Sequence, residues 1–390
     1  MISSVICEFN PFHNGHAYLL SRAKEESDAV ICVMSGNFVQ RGDLAIFDKY
    51  KRAEFALKNG ADLVINLPVG WSMSSAENFA FGGISLIKST GISNNIFFGS
   101  ECGNIEKLKE TADIICDENF NNLVKEALKD GVTYAAARQK VAEKHSPLAS
   151  LILSEPNNTL GIEYIAAAKR LNFSPDFYTV NRIGADHNSF DGIDQYMSGT
   201  ALRKLIKTNK FEQIKKYVPD NIYEDIICGQ YSDINRLDTA LLFKLRSLNE
   251  NDLLEIPDVS EGLENRIIKH LYTCESFSDL LEKVKTKRYT MARIRRILLC
   301  AAFGITNEFL KKKPPYIHVL GCTKKGEELI KEISKKSNIP LIINAKDALK
   351  LEGFAKKTFE LEEQTSGLYA MSFNPMLKSY SQYDKKLLKL

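Results

Sequence analysis

Short apolar runs alternating with helical stretches constrain this chain more than any other feature of its sequence. Residues 5–7, 29–34, 62–66 and 95–98 are such runs, each closed by polar residues or glycine. Between them, residues 15–26, 47–59 and 76–89 have the pattern of helices. Short buried strands separated by helices belong to a parallel sheet covered on both faces. Residues 176–181 predict one more strand, reached after a helical stretch over 107–144 and a helix over 160–171. Right-handed crossovers then make residues 1–209 a Rossmann-like, doubly wound α/β domain, with its ligand at the carboxyl ends of the strands.

Beyond residue 209 the pattern changes to helix after helix, over 237–248, 263–272, 277–284 and 291–303. Two strand-like runs, 317–320 and 340–343, then flank a helix over 324–335. Residues 210–390 therefore read as a mainly helical region with a small α/β appendage near 316–345. A length of 390 residues is too great for one ordinary core, in keeping with this division. No run is apolar for long enough to span a membrane, and the first residues lack the basic segment of a secretory signal. A cytoplasmic protein is expected. The eight cysteines never form a Cys-x-x-Cys pair, which argues against a zinc ribbon and for reduced, mostly buried thiols.

The strongest local signal directly follows the first strand: Cys7, Glu8, Phe9, Asn10, Pro11, Phe12, His13, Asn14, Gly15 and His16. Pro11 bars continuation of the strand ladder, and Gly15 lets backbone approach a ligand closely. Free N–H groups at the start of the next helix favour anionic oxygens. His13 and His16 can then donate to phosphate oxygens and stabilise charge on a pentavalent phosphorus. A metal pair is the rival reading, but no third ligand stands nearby with clean spacing, so no protein metal site is expected. Mg2+ is expected through the triphosphate alone. Downstream, Ser198 or Thr200 can cap a helix with Arg203 one turn inside it, which suits the outer phosphates of a nucleotide. His13, His16 and Arg203 are the expected catalytic groups.

The two elements together resemble the nucleotidyltransferase superfamily that includes class I aminoacyl-tRNA synthetases and small adenylyltransferases. A closer resemblance is to the tRNA(Met) cytidine acetate ligase family. It is carried by EFNPFHNGH (8–16), MSGNFVQRGD (34–43), ADLVINLP (61–68), FFGSE (97–101), PNNTLGIEY (156–164), SEGLENRI (260–267) and KRYTMARIRR (287–296), in that order. The resemblance covers nearly the whole chain. It implies an ATP-dependent ligase acting on the wobble cytidine of elongator tRNA(Met), with acetate and ATP as small substrates. Acetate would form acetyl-adenylate, and the cytidine N4 amine would take the acetyl group to give N4-acetylcytidine. The ATP site it implies is the loop from Cys7 to His16 continued by Ala17, Tyr18, Leu19 and Leu20, completed by Gly99, Asn157 and Arg182. Asn158 stays open as the alternative to Asn157. Neither a membrane nor DNA is implied as a partner.

From Lys285 to Tyr316 the chain carries nine lysines and arginines against Glu308 alone. Such one-sided charge is the footprint a polyanion needs, although a solvated helix face is the commoner cause. Lys287, Arg288, Arg293 and Arg296 are the candidate tRNA contacts. The structural alternative pairs Arg293 or Arg296 with Glu261 or Glu264. Lys49 and Arg52 could face tRNA, with an exposed helix face the blander expectation, and Trp71 is expected to pack. Arg41 reads as catalytic or structural, and Glu77 as a cap or a pocket residue. A small-metabolite adenylyltransferase and a non-catalytic RNA-binding protein are the rival functions. The long helical half and the basic segment weigh against the first, and intact His13, Gly15 and His16 against the second.

Overall fold

The computed structural model describes residues 1–182, 195–260, 262–287, 289–377, 381–383 and 385–390. Its strands are β1 (Ile2–Cys7), β2 (Ala29–Ser35), β3 (Phe38–Val39), β4 (Asp43–Leu44), β5 (Leu63–Leu67), β6 (Asn95–Ser100), β7 (Asp176–Asn181), β8 (Ile317–Cys322), β9 (Leu341–Ile342) and β10 (Leu388–Lys389). The main sheet runs β10-β8-β5-β2-β1-β6-β7, with β9 paired to β8. β1 is parallel to β2 on one side and to β6 on the other. The chain thus winds outward through β2 and β5, then returns to β6 and β7 across β1. This is the predicted doubly wound α/β sheet, and its topological switch point lies between β1 and β6.

Alternation along the strands explains why both faces are covered. Val5 and Cys7 join one core cluster and Ile6 the other; Val30 and Cys32 likewise oppose Ile31 and Val33. The helices Asn14–Glu25 and Lys49–Lys58 cover the first face through Leu20, Ala23, Phe55 and Ala56. Ala76–Thr90 and Pro156–Arg170 cover the second through Phe79, Ile84 and Ile162. Each fully buried side chain of this size contributes roughly 1.5–3 kcal/mol.

The four helices expected after residue 209 are present as Asp238–Arg246, Leu263–Leu271, Phe277–Val284 and Met291–Phe303. Their buried Leu241, Ile267, Leu280 and Leu298 belong to the same cluster as Ile6 and Trp71, so the helical region packs onto the sheet's second face. The strands of the appendage also join the main sheet: β8 pairs antiparallel with β5, with a register shift between Val64 and Ile65. Among the described residues no helix is long and apolar enough to cross a membrane.

Candidate active site

The histidine loop leaves the end of β1 at the switch point. Phe9 takes a left-handed backbone (φ 48°), strained for an aromatic residue, and its ring packs edge-on against Phe12 at 4.9 Å. His13 caps the helix Asn14–Glu25, its Nδ1 accepting the Gly15 N–H at 3.1 Å. That bond leaves the neutral ring's proton on Nε2. The two imidazoles stack at 3.6 Å. Any side chain at Gly15 would meet the His13 ring, a Cβ standing 3.0 Å from Cε1.

Burial, with Arg182 and Arg203 nearby, lowers the His13 pKa to about 3. His16 is held well below its usual range by burial, His13 and Arg182. Both rings are therefore neutral donors near pH 7, and an arriving phosphate would raise their proton affinity.

The structure brings the late Ser-x-Thr-x-x-Arg segment onto this loop. Ser198 caps the helix Gly199–Lys207 by accepting from the Ala201 N–H. Arg203 donates from Nη1 to the Asn10 carbonyl at 2.6 Å and from Nη2 to Thr200 Oγ1 at 3.2 Å. Gly199 lies so near the loop that a Cβ would stand 3.2 Å from the same carbonyl. On the β6 side, Arg182 donates to Asn157 Oδ1 at 3.0 Å, and its side chain lies against Gly99. Asn158, by contrast, is buried and accepts the backbone N–H groups of Glu101 and Cys102. Asn157 is half-buried and engaged as well, its Nδ2 donating to Glu101 Oε1 and its Oδ1 accepting from Arg182.

Lys49 and Arg52 correct the sequence reading, since neither side chain is exposed at all. Arg52 donates to the carbonyls of Glu8 (2.6 Å), Phe47 (2.9 Å), Ser35 (3.1 Å) and Gly36, tying the histidine loop to the end of β2. Lys49 pairs with Glu362 at 3.0 Å, and the same carboxylate accepts from the Asn66 amide and the Val69 N–H. Trp71 packs at 0% exposure, as expected. Glu77 pairs with Arg170, while Ser75 caps the helix. No local signal marks Glu362, which lies some 300 positions from its partners.

The basic helix Met291–Phe303 abuts the β3–β4 turn that carries Arg41. Gly42 (φ +68°) sits where a Cβ would be 2.6 Å from the Arg296 backbone nitrogen, and Arg295 reaches Asp43 at 3.9 Å. The acid that Arg293 and Arg296 meet is Asp258, not Glu264; Glu261 lies outside the described residues. Arg293 donates to the Asp258 carbonyl at 2.8 Å and stacks on Tyr289, and Arg296 approaches its carboxylate at 3.8 Å. Lys287 is exposed, and Arg288 lies outside the described residues. All eight cysteines are free thiols; Cys116 and Cys228 are exposed.

Comparison with known proteins agrees with this architecture. A family model described as HIGH Nucleotidyl Transferase matches residues 1–384. Proteins named tRNA(Met) cytidine acetate ligase from Thermoanaerobacter sp. (strain X514) and Clostridium novyi (strain NT) are 39% and 40% identical, each alignment covering 95% of both chains. The crystal structure of Thermotoga maritima TmcAL bound with alpha-thio ATP is 31% identical over 100% of both chains, with a TM-score of 0.89. The apo form of the same protein, also 31% identical, superposes with a TM-score of 0.91 over 100% of both chains. Fold, loop and late arginine helix thus occur together along one chain, which belongs to the HIGH nucleotidyl transferases and, within them, to the tRNA(Met) cytidine acetate ligase family.

Proposed function

We propose that the protein activates acetate with ATP as acetyl-adenylate and transfers the acetyl group to N4 of the wobble cytidine of elongator tRNA(Met). The observation that carries this is the convergence of His13, His16, Arg182 and Arg203 at the switch point. An acetate oxygen attacks the α-phosphorus, the bond to the bridging oxygen breaks, and pyrophosphate leaves. The neutral imidazoles donate to oxygens gaining charge, while Arg203 and Arg182 hold the outer phosphates by charge-assisted bonds. The N4 lone pair then attacks the acetyl carbonyl carbon and AMP departs. Mg2+ would enter with the triphosphate and offset its charge. Among the described residues no cluster of three or more His, Cys, Asp or Glu side chains could hold an ion, so its ligands would be phosphate oxygens and water.

Lys287, Arg288, Arg293 and Arg296 are the tRNA surface of this reading, with Arg295 adding to it. The contact of that helix with the β3–β4 turn supports it, because cations for an RNA backbone then adjoin the ATP loop. Incubation with ATP, labelled acetate and bulk tRNA, followed by nuclease digestion, should yield labelled N4-acetylcytidine. Label that stays in a soluble adenylate would instead favour the small-metabolite adenylyltransferase.

A further inference from the structure

A carboxylate inside a loop that receives a polyphosphate needs a reason. Glu8 directly follows β1, is half-buried, and accepts the Gln40 N–H at 2.7 Å through Oε1. Its own carbonyl is held by Arg52. Its Oε2 makes no hydrogen bond among the described residues, yet is not sealed from solvent. One oxygen is therefore fixed by backbone and the other has no hydrogen-bond partner among the described residues. A phosphate would be repelled there, whereas an amine or a hydroxyl would be bound.

Acyl transfer to an amine releases one proton, and the other carboxylates facing Arg203 and Arg182 are engaged: Asp43 accepts the Leu44 N–H and approaches Arg295, and Glu101 accepts from Asn157 and Asn158. His13 spends its lone pair on the Gly15 N–H, and both imidazoles have depressed proton affinity. Cys7 and Tyr164 are buried with raised pKa values, and Arg41, Arg52, Arg182 and Arg203 are cations. Burial raises the Glu8 pKa, partly offset by the Gln40 N–H and by Arg203, Arg41 and Arg52, which moves the carboxylate toward the range of a useful base.

On the acetyl-adenylate reading, we propose that Glu8 is the proton acceptor of the transfer step. Its free oxygen accepts a hydrogen bond from the cytidine N4 amine, as a carboxylate does when it reads cytosine. As the nitrogen bonds to the acetyl carbon and the carbon–oxygen bond to AMP breaks, one N4 proton passes to Oε2. Uridine, with a carbonyl oxygen at that position, would be repelled, so the same group selects the base.

The test separates the half-reactions in wild type, Glu8→Gln and Glu8→Asp. Glu8→Gln should lower acetate-dependent pyrophosphate–ATP exchange far less than it lowers transfer, and should keep the wild-type melting temperature. Single-turnover transfer from preformed acetyl-adenylate to tRNA should fall about 10²–10⁴-fold. The acid limb of the wild-type transfer rate should vanish in Glu8→Gln, and Glu8→Asp should recover part of the rate. Exchange that falls in step with transfer, or shows a raised Mg2+ requirement, would overturn the proposal by placing Glu8 on ATP or its metal. So would unchanged transfer. Failure of the underlying reading shows separately, as wild-type protein with no acetate-dependent exchange, and overturns both.

Discussion

Replacing Glu362 with alanine tests how the helix Gly353–Ala370 holds the histidine loop's support in place. The Glu362 carboxylate is 2% exposed and accepts from Lys49 Nζ at 3.0 Å, from Asn66 Nδ2 at 3.1 Å and from the Val69 N–H. Glu362→Ala leaves a buried ammonium, an amide and a backbone N–H without that acceptor. Removing one partner of a buried pair costs about 3–5 kcal/mol, because the remaining charge stays desolvated. At about 2 °C per kcal/mol for a large domain, melting should fall by about 6–10 °C. Differential scanning calorimetry of the pure protein reads this directly. Joint replacement, Lys49→Met with Glu362→Leu, should recover part of the loss, since it removes the unpaired ammonium but leaves the Asn66 amide and the Val69 N–H without an acceptor. A single variant that melts within about 2 °C of wild type, or a double variant less stable than the single, would refute the reasoning.

His16→Ala should abolish acetate-dependent pyrophosphate–ATP exchange while leaving the melting temperature within about 3 °C, since the ring serves phosphate. Arg203→Ala should raise the KM for ATP by about tenfold or more, checked by exchange at limiting ATP, because it removes a charge-assisted contact of about 1.5–3 kcal/mol. His318 is buried with its pKa lowered to about 3, chiefly by burial and then by Lys49. The unfolded chain binds a proton there below about pH 6.5 and the folded chain does not, so this contribution is complete above that pH and is lost as pH falls toward 3. Denaturant melts from pH 6 to 5 should therefore show a stability slope smaller by about one proton in His318→Gln than in wild type. Lys287→Ala with Arg295→Ala should flatten the salt dependence of tRNA binding by about two units at unchanged melting temperature, by filter binding. Arg296→Ala should also melt earlier, because it meets Asp258.

The legible parts of this molecule are those whose signals are local. The alternation of runs, the Pro11 break and the spacing of Ser198 from Arg203 all depend on neighbours a turn or a strand away. Their expected places match β1, β2, β6, β7 and the helix Gly199–Lys207. Arg52 was illegible because its role depends on four carbonyls from three separate segments, and a cation one turn from Lys49 looks like any exposed helix face. The pairing of β8 with β5 was illegible for a related reason: two short apolar runs some 250 positions apart carry no mark of their partnership. Asp258 carries no local mark, because it sits in a turn far along the chain from the helix Met291–Phe303 that it meets, and Glu261 and Glu264 look equally suitable in the sequence.

The seating of Gly42 on the basic helix has a mechanical consequence. With room for a hydrogen but not a methyl between them, the turn carrying Arg41 and the helix carrying Arg295 are in direct backbone contact. The spacing between the cations on that edge and the histidine loop is then set by backbone contact and not by flexible side chains. On the proposed function, an RNA laid across the edge would meet a fixed gauge, and only a loop whose target base projects by the matching length would reach the histidine loop. Selection by such a gauge needs no moving lid, and a bulkier residue at position 42 would miscalibrate it without touching either substrate.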